Sequence, residues 1–234
     1  MSFWIARYPV TVAQYRAFMK AGGYDEQNCW IEHGWVWKQR RKRTYPWGWD
    51  DPKYTSSNQA VIGVTWYEAM AFCAWLTAQL TNVLSDGYAI CLPTEAEWEA
   101  AAAYDATMQR RIYPWGKDAT TPEHAIFRND QGSSLGAPAP VGICPGGAAA
   151  CGALDVSGQV WEYCRSSYKA YPREAHAAQK DFTTSEIDVP LRGGSRYSDS
   201  TYVRCGARNG YHPVFGYVNH EGGFRVVAAP LFAE

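Results

Sequence analysis

The sequence predicts an α+β domain in which a few short elements carry long ordered loops. Three observations lead there. Helical spacing follows a helix-start signal in two segments and, more briefly, in a third. Strand-like runs are short and far apart. Most of the remaining chain is loop, supplied from 21 Gly, 13 Pro and 11 Trp among 234 residues.

The first helix is expected over Thr11–Lys20. Thr11 is an N-cap type, Val12, Tyr15 and Phe18-Met19 recur at helical spacing, and Gly22-Gly23 ends the run. The second is expected over Thr65–Thr81. Thr65 with Glu68 three residues on is a capping box, and Ala69, Phe72, Cys73, Leu76 and Leu80 make one apolar face. A third, shorter helix starts at Thr94 with Glu97 and runs through Trp98 to Ala103. Strands are expected at Ala89–Leu92, Gln159–Tyr163 and Gly223–Val227. Long ordered loops on so few elements tend to be functional.

Composition bounds the function. The length suits one domain, 1–234, with a real core. A net charge of −1 gives no basic footprint, so nucleic acid is not expected as a partner. The basic run Lys38-Gln39-Arg40-Arg41-Lys42-Arg43 is read as a solvated loop. No apolar run approaches the roughly 20 residues of a membrane span. With no signal segment visible, the default expectation is cytoplasmic. The seven cysteines leave at least one thiol unpaired. Cys73 and Cys91 are read as buried apolar groups. Cys144 and Cys151 flank a Gly/Ala loop, and whether they pair is left open.

The stretch Leu191–Val227 is crowded with Tyr, Ser, Asp, His, Asn, Phe and Gly. Aromatics give rigid contact area, and Ser, Asn and Gly give adaptable hydrogen bonding. It reads as a recognition surface between two framework ends, Arg192-Gly193-Gly194-Ser195 and Gly223-Phe224-Arg225.

Those ends belong to a longer series. Arg7-Tyr8-Pro9-Val10-Thr11, Pro46-Trp47-Gly48, Val61-Ile62-Gly63-Val64-Thr65-Trp66, Leu92-Pro93-Thr94-Glu95-Ala96-Glu97-Trp98-Glu99, Pro114-Trp115-Gly116 and Asp155-Val156-Ser157-Gly158-Gln159-Val160-Trp161-Glu162 follow one another in order. The series resembles the formylglycine-generating-enzyme, or sulfatase-modifying-factor, family over nearly the whole chain. The resemblance implies a C-type-lectin-like fold with small twisted antiparallel sheets and two main helices. It also implies a native N-terminal portion ahead of Met1.

The resemblance further implies chemistry. Family oxidases carry a copper-binding cysteine pair shortly after the RGGS motif, because Cu(I) selects thiolates. Here Arg196-Tyr197-Ser198-Asp199-Ser200-Thr201-Tyr202-Val203 has no cysteine, and Cys205 comes later and alone. No catalytic residue and no copper are expected. A structural calcium site is expected by carry-over: Asp155 and Glu162 through side chains, Gly158 and Val160 through carbonyls. A second family calcium site near Ala125 is not expected. Glu95, Glu97 and Glu99 are read as cap and framework ion-pair residues. The histidines show no zinc spacing.

A kept framework with a rewritten loop resembles the variable proteins of diversity-generating retroelements. Adenine-templated codons cannot yield Lys, Gln, Glu, Met or Trp. These types fill 43 of 234 positions, so 28 residues should hold roughly five of them; Arg196–Gly223 holds one, Glu221. The expectation is a non-enzymatic module with a variable region about 196–223, recognising a protein or surface ligand. Its contacts would be Tyr197, Ser198, Asp199, Ser200, Tyr202, Tyr211, His212, Val214, Phe215, Tyr217, Val218, Asn219 and His220. The alternative is a divergent enzyme of the family with oxidoreductase or sulfur-transfer chemistry, such as an iron-dependent oxygenating relative. That enzyme needs a metal triad partly outside this domain.

Overall fold

A computed structural model describes residues 2–129, 131–132, 134–169, 188–213 and 220–230. The elements are β1 (Trp4–Ile5), α1 (Val12–Lys20), α2 (Glu32–Arg41), α3 (Trp66–Gln79), β2 (Tyr88–Cys91), α4 (Glu95–Ala103), β3 (Trp161–Tyr163), β4 (Val189–Arg192), β5 (Arg208–Tyr211), β6 (Gly222–Gly223) and β7 (Val227–Pro230).

Local chemistry sets the three expected helices. Thr11, Thr65 and Thr94 each accept the N–H of the residue three on, and the side chains of Gln14, Glu68 and Glu97 reach back to the cap N–H. Each box satisfies two donors that a helix start leaves orphaned. α1 buries Val12, Tyr15 and Phe18; Tyr15 is stacked on Phe72 of α3 at 5.7 Å, and Phe18 meets the same ring edge-on at 5.9 Å. Trp66 ties α3 to the end of β3 by donating to the Cys164 carbonyl at 3.0 Å.

Two small sheets share the core. One is antiparallel, in the order β1-β7-β2; the other runs β5-β4-β3-β6 and contains one parallel pair, β3 with β6. The expected strand Gly223–Val227 is divided. Gly222–Gly223 joins the second sheet and Val227–Pro230 the first. Between them the chain turns Phe224 and Arg225 into the interior, where both are fully buried. Two burial demands in adjacent residues outweigh continuation of the ladder.

The basic run is not a loop. Its first four residues belong to α2, where Lys38 is buried with its ammonium 4.6 Å from the Trp35 ring centroid. Arg43 turns inward to Glu68 at 2.9 Å and to the Gly63 carbonyl at 2.7 Å. Gln39, Arg40, Arg41 and Lys42 stay exposed, as a solvated stretch would. Among the described residues, no helix is long and apolar enough to cross a membrane.

Candidate functional site

The stretch from β4 to β7 is pinned at both ends by buried ions. At the β4 end, Arg192 is wholly enclosed. It donates to Glu95 at 2.7 Å, to Glu99 at 2.8 Å and to the Cys205 carbonyl at 2.6 Å. Arg208, opening β5, meets the same Glu95 at 2.5 and 2.9 Å. Burial alone would raise the Glu99 carboxyl; hydrogen bonds and charge from Arg192 and Arg110 hold it below the usual range instead. Glu97 instead closes the α4 cap, with Arg165 at 3.4 Å. The acidic triplet thus serves as cap and framework.

At the other end, Arg225 lies against both oxygens of Glu162 at 2.7 and 2.8 Å. Trp98 donates to Glu162 at 2.7 Å, and Arg225 also reaches the Leu154 carbonyl at 2.8 Å. These contacts fall on the residues expected to hold calcium. Asp155 accepts the Gly142 N–H at 2.7 Å, and the Gly158 carbonyl accepts from the Val160 N–H at 2.8 Å. Burial raises the Asp155 carboxyl, partly offset by that N–H and by Arg225. A cation would therefore compete with a guanidinium for Glu162.

Between the pins, Tyr197, Asp199, Tyr202 and His220 reach the surface in whole or part. Tyr197 donates to the Gly136 carbonyl at 3.2 Å. Asp199 meets Arg128 at 3.5 Å, and the His220 ring lies 3.8 Å from that of Trp47. Ser200, half-buried, accepts from the Tyr113 hydroxyl at 3.2 Å through its carbonyl. His212 is half-buried.

Two expected contacts are corrected. Tyr211 is buried, because it ends β5 with its ring 5.2 Å from Tyr163 in the core. Ser198 is buried because its hydroxyl accepts the Ser195 N–H at 3.0 Å and closes the turn. Val214, Phe215, Tyr217, Val218 and Asn219 lie outside the described residues. Within the same stretch Cys205 is buried, while Ala207 and Val226 are half-buried.

Cysteine chemistry is muted. Cys205 points its thiol at the Ala102 carbonyl, and burial pushes that thiol up to about 12. Cys144 and Cys151 are free thiols directed at different carbonyls, Pro122 and Ala101. Among the described residues no three His, Cys, Asp or Glu side chains converge as a metal site. The described residues therefore do not fit the iron triad that the resemblance raises.

Sequence reasoning passed over Trp47, Arg128 and Arg196, which border this face. Arg196 directly follows the RGGS motif, and an arginine beside a buried turn is the signal that was available.

Comparison with known proteins follows the same framework. The profile of the Sulfatase-modifying factor enzyme 1-like domain matches residues 1–230. A protein of Mycolicibacterium thermoresistibile named hercynine oxygenase is 36% identical over 231 residues, covering 91% of this chain and 48% of that protein. A protein of the same name from Mycobacterium tuberculosis is 36% identical over 227 residues, covering 91% and 49%. The chain thus spans about half the length of these curated relatives. Among solved structures, Treponema denticola variable protein 1 has a TM-score of 0.64 at 21% identity, covering 97% of this chain and 84% of that one. That likeness shows the fold alone. The expectation of a non-enzymatic module is overturned by the oxygenase relatives, which share far more sequence than the variable protein does. A loop composition suited to recognition fits a substrate as well as a partner, so it could not separate the two.

Proposed function

Since the chain belongs to the sulfatase-modifying-factor enzyme 1-like family, we propose that it is a domain of an oxygenase, acting on hercynine or a closely similar small molecule. The observation that carries this reading is the 36% identity over 91% of the chain to two hercynine oxygenases. The pinned stretch between β4 and β7 is the substrate-facing part. Tyr197, Asp199, Tyr202 and His220 supply contact area and polar groups there. The ion pairs of Arg192 and Arg225 keep its two ends in register, which is the preorganisation a binding surface needs.

The metal and the rest of the catalytic constellation come, in this reading, from the part of the relatives' length that this chain does not span. Fold alone does not give function, so the test is direct. The full natural protein containing this domain, supplied with ferrous iron, hercynine and a low-molecular-weight thiol, is placed in an oxygen electrode. Hercynine-dependent oxygen uptake is expected. Uptake that is absent, or indifferent to hercynine, overturns the reading.

A further inference from the structure

Among the described residues, three arginines are wholly buried: Arg192, Arg196 and Arg225. Arg192 and Arg225 each meet carboxylates at 2.7 to 2.8 Å. Arg196 meets none. Its Nε and Nη1 have no hydrogen-bond partner. Its remaining nitrogen, Nη2, reaches only the His220 carbonyl, at 3.4 Å. The face of the guanidinium is covered by the Tyr197 ring at 4.4 Å.

An enclosed cation without a counter-ion is costly. Desolvation of a guanidinium is offset only by close acceptors, and a ring face replaces little of that. Arg cannot escape the cost by losing its proton at neutral pH. The backbone around it is not makeshift. The Arg196 N–H donates to the Gln159 carbonyl at 3.2 Å, and the Ser195 turn holds the preceding residue. The fold therefore holds this charge in a fixed place while leaving its donors unused.

From this geometry we infer that Arg196 is the anchor of a binding site for a small-molecule carboxylate. A carboxylate matches the planar, paired donors of a guanidinium in a way that a water or a neutral carbonyl does not. Tyr197 is the cover. It is about one-third exposed, and only its hydroxyl contact to the Gly136 carbonyl fixes its outer end. Swinging that ring outward opens the guanidinium beside the His220 backbone, whose carbonyl Nη2 already reaches. The ligand would thus pair its carboxylate inside, with its body directed outward past Tyr197. Arg196 is a binding residue in this account, with no part in any bond made or broken.

The site stands on charge and burial, independently of the oxygenase reading. Its test reads melting temperature and never turnover. The full chain is heated in sodium acetate, in acetamide as a neutral isostere, and in sodium chloride at matched ionic strength. Acetate is expected to raise the melting temperature above both controls, by mass action on the native state. Arg196→Met removes the uncompensated charge while keeping the bulk. It is expected to melt about 2 °C or more above the parent in acetate-free buffer and to lose the acetate response. Tyr197→Ala, which uncovers the site, is expected to respond at several-fold lower acetate. An acetate effect no larger than that of chloride overturns the proposal, on the wild-type chain alone. So does an Arg196→Met variant that melts lower than the parent, since the charge would then be contributing stability.

Discussion

Glu162 and Arg225 form a two-point ion pair from which solvent is entirely excluded. Glu162 sits in β3 of one sheet, and Arg225 sits in the link between β6 and β7, where the chain passes to the other sheet. The pair therefore fastens the two sheets together. Removing one member of such a pair strands a buried charge, which costs about 3–5 kcal/mol. Glu162→Gln and Arg225→Met are each expected to lower the unfolding free energy read from urea curves by that order. The double variant should cost clearly less than the sum, because neither charge is left alone. Single variants within about 1 kcal/mol of the parent would show that the pair does not hold the sheets.

The same pair bears on the calcium expectation. Both Glu162 oxygens are engaged by Arg225, and one also by Trp98. A divalent cation would have to evict a guanidinium from its own counter-ion. The melting temperature is therefore expected to be the same in millimolar calcium and in chelator. A calcium-dependent rise that Asp155→Ala abolishes would restore the carried-over site.

What could be read from the sequence was what local chemistry writes there. Thr65 with Glu68 and Thr94 with Glu97 announce their helices within four residues, and both are found. α2 has no such signal: its N-cap Ile31 makes no side-chain cap, and its residues are mostly polar. It is held by contacts distant in sequence, among them Gly34 packed on Tyr67. β5, Arg-Asn-Gly-Tyr, has little strand character of its own and becomes a strand by pairing with β4. The site divides in the same way. Tyr197, Asp199 and Tyr202 could be taken for surface groups from residue type. The burial of Tyr211, and the lack of a counter-ion at Arg196, depend on neighbours that no short window contains.

The turn after α4 should be one source of acid sensitivity, beside Glu99. The Thr107 hydroxyl, then the Thr107 and Gln109 N–H groups and Arg111, hold the Asp105 carboxyl at about 2, against an ordinary 3.8. A carboxyl depressed by folding contributes stability above its unfolded value and loses it as pH falls through the folded one. The window here runs from about pH 4 down to about pH 2. The Asp105 side-chain carbon, followed by NMR, should titrate with a midpoint near the lower end. Thr107→Val should move that midpoint upward. A midpoint near 3.8 in the parent protein would mean that the turn does not form these bonds in solution.

Gly194 and Tyr202 separate frame from face. Gly194 has φ +73°, and a Cβ there would lie 2.8 Å from the Tyr202 carbonyl oxygen and 2.9 Å from Val203 Cγ1. Backbone strain and a backbone clash would add, so Gly194→Ala is expected to cost more than about 1–3 kcal/mol. The Tyr202 side chain is half-exposed, with its ring edge toward Trp161 at 6.4 Å between centroids. Tyr202→Ser should therefore cost only about 0.5 kcal/mol, as surface changes usually do. Under the proposed function it should still raise the KM for the small-molecule substrate, because it strips contact area from the substrate-facing stretch without moving the backbone beneath. Denaturant curves and steady-state kinetics on the two variants check this together. If Tyr202→Ser unfolds the protein as readily as Gly194→Ala does, the side chain is core, and the stretch after Ser195 is frame rather than binding surface.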